Sequence, residues 1–144
     1  MKNFDYQSFQ NRLASIANIF DRELALLEDT ASFYNRNNRA VLNDGRCVYA
    51  ATETSPGCAI GRCLDRNNVP PNYSDINVYA LWDNKTPHLP AWLHEMNVDF
   101  LRNLQAFHDC ERYWDASGLT PLGREMFEWI KENINFRRAA AETP

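Results

Sequence analysis

Residues 5–28 read DYQSFQNRLASIANIFDRELALLE, and the spacing of apolar residues in this stretch decides the fold class. Phe9, Leu13, Ile16, Phe20, Leu24 and Leu27 recur at steps of three and four. That is one stripe along an α-helix, with Arg12, Ser15, Asn18 and Arg22 on the other side. Asn3 or Asp5 can cap such a helix. A long amphipathic helix must bury its stripe, so the stretch predicts a packed, mostly helical domain.

Outward from this helix the signals shorten. Thr30 is placed to cap a short second helix through Phe33 and Tyr34, and residues 35–39 are polar and turn-prone. Asn43-Asp44-Gly45 is a strong turn signal. Residues 46–51, with Val48 and Tyr49, read as a short strand, and residues 76–81 alternate like a second one. Ser55-Pro56 has the pairing of a helix start, which predicts a short helix from Cys58 to Leu64.

Pro90 opens a turn holding Trp92 and Leu93. Asn97 caps a helix over 97–112 whose inner face is Phe100, Leu101, Leu104, Phe107 and His108. Thr120-Pro121 starts a last helix over 121–133, with Leu122, Met126, Ile130 and Ile134 on one stripe. Residues 137–144 read as a frayed tail. The expected architecture is α+β and mostly helical, with at least three helices around a small sheet or hairpin made from 46–51 and 76–81. It forms one globular domain over residues 1–136. Phe9, Leu13, Ile16, Phe20, Leu104, Met126 and Ile130 are expected in the core.

Composition narrows the function classes. The chain has 144 residues, 44% hydrophobic and 24% charged, with a formal net charge of −4. Those values suit one globular domain and argue against general binding to nucleic-acid phosphates. No apolar run approaches the roughly 20 residues of a membrane span. The first residues lack the apolar stretch of a signal peptide, so a cytoplasmic location and reduced thiols are expected.

Chemical motifs are sparse. His94-Glu95 begins like a zinc-protease helix, but Val98 stands where the second ligand belongs. Cys47, Cys58, Cys63 and His108 could form a tetrahedral zinc set, yet their spacing is unlike the close pairs of structural zinc sites, so neither metal nor cofactor is expected. The sharper candidate is a thiol nucleophile. Cys58, in the first turn of the helix predicted after Ser55-Pro56, would have its thiolate stabilised by the dipole and free N–H groups. Gly57 would let a substrate approach, and His108 would act as base. Gln105 lies on the same helical face as His108. Asp109 is the poorer orienter, because adjacent helical residues point about 100° apart.

Three segments occur in order: Cys47-Val48-Tyr49, Cys58-Ala59-Ile60-Gly61 and Leu104-Gln105-Ala106-Phe107-His108-Asp109. As a set they resemble a loosely related group of small uncharacterised proteins encoded by bacteriophages and prophages. That resemblance covers residues 46–109 and marks Cys47, Tyr49, Cys58, Gly61, Gln105, His108 and Asp109. It implies a mobile-element accessory protein and no particular chemistry.

The leading expectation is therefore a protein that acts by contact with a host protein, in the host cytoplasm if phage-encoded. Trp82, Trp92 and Trp114 are the candidate anchors, because exposed aromatics dominate interfaces. One alternative is a thiol-dependent hydrolase or transferase using Cys58, His108 and Gln105. Another is a small-molecule or nucleotide-binding sponge. The enzyme reading requires Cys58 beside His108 at the wall of an open cleft, whereas a binding protein can bury both.

Overall fold

The computed structural model describes residues 4–41, 48–52, 54–66, 78 and 89–143. Over these residues the chain is a mostly helical α+β fold. The α-helices are α1 (Tyr6–Ala14), α2 (Ile19–Phe33), α3 (Ala91–His94), α4 (Val98–Asp109) and α5 (Pro121–Glu142). Two short strands, β1 (Trp114–Asp115) and β2 (Gly118–Leu119), pair antiparallel, with Trp114 opposite Leu119. The helices are α2 against α5 and α4 against α5, with α1 folded back on α2.

The stripe over residues 5–28 is divided between two helices. α1 stops at Ala14, and Asn18 starts α2 by accepting a hydrogen bond from the Asp21 N–H at 3.0 Å. Ser15 closes α1 by donating its hydroxyl to the Arg12 carbonyl. The apolar period runs straight through this break, which is why the stretch reads as one helix. Phe9, Leu13, Leu26 and Leu27 are buried, while Ile16, Phe20 and Leu24 are half-buried against the core. Arg22, expected on the solvent side, is buried. Its Nε and Nη2 donate to the Ile16 carbonyl, and Nη1 donates to Trp92 O and Glu95 Oε2. One side chain thus closes the α1–α2 turn and ties it to α3.

Thr30 caps no second helix. It sits inside α2 and donates to the Leu26 carbonyl. The sheet also differs from the expected one. Residues 46–47 lie outside the described residues; Val48 and Val41 are isolated bridge residues, with the Val48 N–H donating to Ala40 O at 2.9 Å. Within 76–81 only Val78 is described, and it is helical rather than extended. The described strands instead flank Asp115-Ala116-Ser117-Gly118. There the Asp115 carboxylate accepts from both the Ser117 N–H and hydroxyl, and Gly118 takes a φ of 131° that its missing Cβ allows.

α4 starts at its Asn97 cap, as the sequence indicates. It ends at Asp109, three residues before the expected boundary. The Thr120 hydroxyl caps α5 by accepting from the Gly123 N–H at 3.1 Å. The inner face of α5 keeps Ile130 and Ile134 from the expected stripe, but in its first two turns Gly123 and Phe127 face inward in place of Leu122 and Met126. Gly123, Phe127, Ile130 and Ile134 are buried, Met126 is half-buried and Leu122 is exposed. A Cβ on Gly123 would lie 2.3 Å from the Tyr113 carbonyl oxygen, so the helix lies against the chain where hydropathy gives no sign of it. Residues 137–142 do not fray. They continue α5, anchored by Arg137, which forms a two-pronged ion pair with the buried Glu23 (2.6 and 3.3 Å), and by Arg138, which pairs with Asp21.

Candidate functional site

The residues marked by sequence converge on one buried junction. Gln105 and Asp109, one turn apart on α4, are joined by a 2.9 Å hydrogen bond from Gln105 Nε2 to Asp109 Oδ1. Gln105 Oε1 accepts from the Ile60 N–H at 3.2 Å, which ties α4 to the segment around the Gly61–Cys63 3₁₀ turn. The same Asp109 oxygen lies 2.7 Å from His108 Nδ1. His108 Nε2 accepts from the Ala40 N–H at 3.4 Å, a long bond that reaches the next segment. Arg39 Nη1 covers the end of α4 by donating to the carbonyls of His108 and Asp109.

These bonds assign the proton on the imidazole. Nε2 needs its lone pair to accept from Ala40, so the hydrogen sits on Nδ1 and is donated to Asp109. Burial lowers the His108 pKa from its usual value, opposed by the Asp109 hydrogen bond. The edge of the Tyr34–His108 ring pair, 4.5 Å between centroids, completes a ring that is fully enclosed. Asp109, expected as the poorer orienter, is the residue that orients His108, and Gln105 acts one step further out.

Cys58 is also fully buried, and its surroundings differ from those expected. No regular helix starts at Ser55-Pro56. Within residues 54–66 the one helical element is the Gly61–Cys63 3₁₀ turn, so Cys58 does not sit in the first turn of an α-helix. The Cys58 N–H is committed to the Val48 carbonyl at 2.8 Å and is not free to hold an oxyanion. Gly57 faces no substrate either. A Cβ there would lie 2.5 Å from the Tyr49 carbonyl oxygen, and one on Gly61 would lie 2.3 Å from it. The two glycines let the backbone of the buried Tyr49 pass close by. Gly57 O accepts from the buried Tyr34 hydroxyl at 2.6 Å. Cys63 is buried as well, and burial pushes its thiol up to about 12. Cys47 lies outside the described residues.

Beside this junction stands a group that sequence reasoning missed. Arg62 is completely buried and pairs with Asp29 at 2.5 Å. Its guanidinium carbon lies 4.3, 4.8 and 5.0 Å from the ring centroids of Phe9, Phe33 and Tyr34. Among the described residues, Nε and Nη1 have no hydrogen-bond partner. The ring faces take that place, each contact worth about 0.5–2 kcal/mol. An arginine between Gly61 and Cys63 in a predicted helix carries no sign of this.

The candidate anchors fare differently from one another. Trp114 is buried, with its indole N–H donating to the Phe107 carbonyl at 3.0 Å, and so offers no surface. Trp92 is half-buried against the core. Trp82 lies outside the described residues. Among the described residues, the exposed large apolar side chains are Leu122 (43%), Trp129 (49%) and Phe136 (75%), all on α5. They stand seven residues apart, hence each lies about 20° around the helix from the next and all three fall within about 40°. Met126 and Asn133 lie between them on the same face. The signal was present in sequence as the seven-residue recurrence, but a stripe assigned to the core hides it.

Among the described residues no three His, Cys, Asp or Glu side chains gather into a metal-binding group, and no helix is long and apolar enough to cross a membrane. A shallow cleft between α4 and α5, lined by Asn97, Asp99, Asn103, Asn133 and Arg137, borders the exposed stripe. No family model, curated protein or solved structure matches the chain.

Proposed function

We propose that this protein acts by binding another protein, through the outer face of α5. The observation that carries the reading is the contrast in access. Leu122, Trp129 and Phe136 present large apolar surface at regular spacing, while Cys58 and His108 are both sealed. Aromatic side chains on a rigid helix are favoured interface anchors, because they lose little freedom on contact. A thiol enzyme would need the sulfur open to substrate and an imidazole nitrogen free to take a proton. Here Nδ1 carries its own proton to Asp109, and Nε2 is occupied by Ala40. The resemblance to phage and prophage proteins makes a host protein the expected partner, in the host cytoplasm.

Co-purification from the natural host tests this. Tagged wild type and Cys58→Ser should retain the same specific partner, and Trp129→Glu should lose it while keeping the wild-type circular dichroism spectrum. Retention of the partner by Trp129→Glu, together with loss of a biological activity in well-folded Cys58→Ser, would overturn the binding reading in favour of thiol chemistry.

A further inference from the structure

α5 carries a seven-residue pattern in charge as well as in apolar residues. Leu122, Trp129 and Phe136 are followed two positions later by Arg124, Lys131 and Arg138. Two positions are about 200° around a helix, so the bases lie opposite the stripe. Glu125 and Glu132 come three positions after Leu122 and Trp129, about 60° to one side, and Glu128 stands just beyond them. All three glutamates are exposed, and none is ion-paired among the described residues. The other side of the stripe turns into the core at Gly123, Phe127 and Ile130. The open apolar face therefore has an acidic border.

Asn133 adds a polar amide within it. Its Nδ2 donates one hydrogen to the Trp129 carbonyl at 3.0 Å, which leaves the amide oxygen and the second N–H for a visitor. The acidic border calls for a positively charged occupant, and Asn133 can pair with a donor or an acceptor on it.

Resting on the binding reading above, we infer that the occupant of this face is an amphipathic α-helix of a partner protein with Lys or Arg flanking its apolar side. The stripe runs 14 residue steps from Leu122 to Phe136, about 21 Å, which matches four turns of such a helix. Its apolar side lies on Trp129 and its neighbours, and its basic flank lies along Glu125, Glu128 and Glu132. A second copy fits less well. Antiparallel pairing about Trp129 brings Glu125 of one copy within a turn of Glu132 of the other, which repels. Parallel pairing brings Glu132 to Arg137 of the second copy, a guanidinium already committed to Glu23. The acidic border also repels an anionic lipid surface.

The test uses the full chain and two synthetic 16-residue helical probes with identical leucine faces, one flanked by lysine and one by glutamate. Fluorescence anisotropy at 50 mM and 500 mM salt reads the binding. The lysine probe should bind at least about ten-fold more tightly than the glutamate probe at low salt. Trp129→Ala should remove most of that binding, and Glu125→Gln/Glu132→Gln should shrink the preference without touching the fold. Equal binding of both probes, or a preference for the glutamate probe, overturns the charge assignment while leaving a Trp129-dependent binding protein intact. A stable dimer of the free chain at micromolar concentration by sedimentation equilibrium, dispersed by Trp129→Glu, overturns it in favour of a second copy. Binding to phosphatidylserine vesicles with neither probe bound overturns it in favour of lipid. Tight binding of the lysine probe that Trp129→Ala leaves unchanged overturns the location on α5.

Discussion

The junction around Gln105, His108 and Asp109 and the outer face of α5 use opposite residue types in unexpected places. The junction holds the reactive side chains, with Cys58 and His108 buried and with His108 and Gln105 turned onto the backbone N–H groups of Ala40 and Ile60. The α5 face holds plain apolar side chains, and they are turned outward. Reactive chemistry in a sequence marks a functional site only when solvent can reach it. A histidine and a glutamine can equally well satisfy backbone N–H groups where loops cross a helix, and a cysteine can simply fill buried space. Apolar side chains left in water on a rigid helix have no such structural use.

Substitutions at the junction should therefore cost stability, and those on the α5 face should cost almost none. The largest effect belongs to Gly61→Ala. Its Cβ would meet the Tyr49 carbonyl oxygen and Cα at 2.3 and 2.7 Å, both backbone atoms of a buried residue. Loss of more than about 3 kcal/mol, or of folding altogether, is expected from urea denaturation. Gly118→Ala is the control. It has open space around its Cβ, and its positive φ should cost only about 1–2 kcal/mol. Equal costs at the two positions would break the account of the Tyr49 crossing.

Gln105→Ala comes next. It leaves the buried Ile60 N–H unpaired and removes one donor from Asp109, at an expected cost of about 1–3 kcal/mol. A smaller effect reads the histidine. In the folded chain burial holds the His108 pKa below its usual value near 6.5. Between that value and the lower folded one, the unfolded chain binds a proton that the folded chain refuses. Stability then falls as the pH falls through that window. Glu23, pushed up by burial, has the opposite sense lower in the range, so wild type must be compared with His108→Gln. The variant should lose stability overall and show a flatter dependence between pH 7 and 6. An unchanged slope would mean that His108 titrates alike in both states. The smallest effect is at Trp129→Ala, within about 0.5 kcal/mol of wild type.

The elements with local chemical punctuation were legible. Asn97 and Thr120-Pro121 mark the starts of α4 and α5 because their side chains satisfy the first free N–H groups. The break at residues 15–18 was hidden because Leu13, Ile16 and Phe20 keep helical spacing across it, and only Asn18-x-x-Asp21 marks it. On α5 the second half of the stripe, Ile130 and Ile134, is legible, whereas the first turns are not, since Gly123 contributes closeness rather than hydropathy. The strands of residues 114–119 are too short for any alternation to show. At the site, the partners Gln105, His108 and Asp109 were visible as a cluster on one helix. Their direction, inward onto Ile60 and Ala40, depends on long-range packing that no local pattern carries. The buried Arg62 was invisible for the same reason, because the Phe9, Phe33 and Tyr34 rings around it come from α1 and the end of α2, far from it in sequence.

Hydroxyl-radical footprinting of the protein with and without its co-purified partner tests the central claim most directly, since it reads side-chain access to solvent residue by residue. Labelling of Trp129, Phe136 and Met126 should drop several-fold on binding, with Tyr34 and Tyr49 unlabelled in both states. Unchanged labelling along α5, with new exposure or protection at Cys58 and Tyr49, would contradict it.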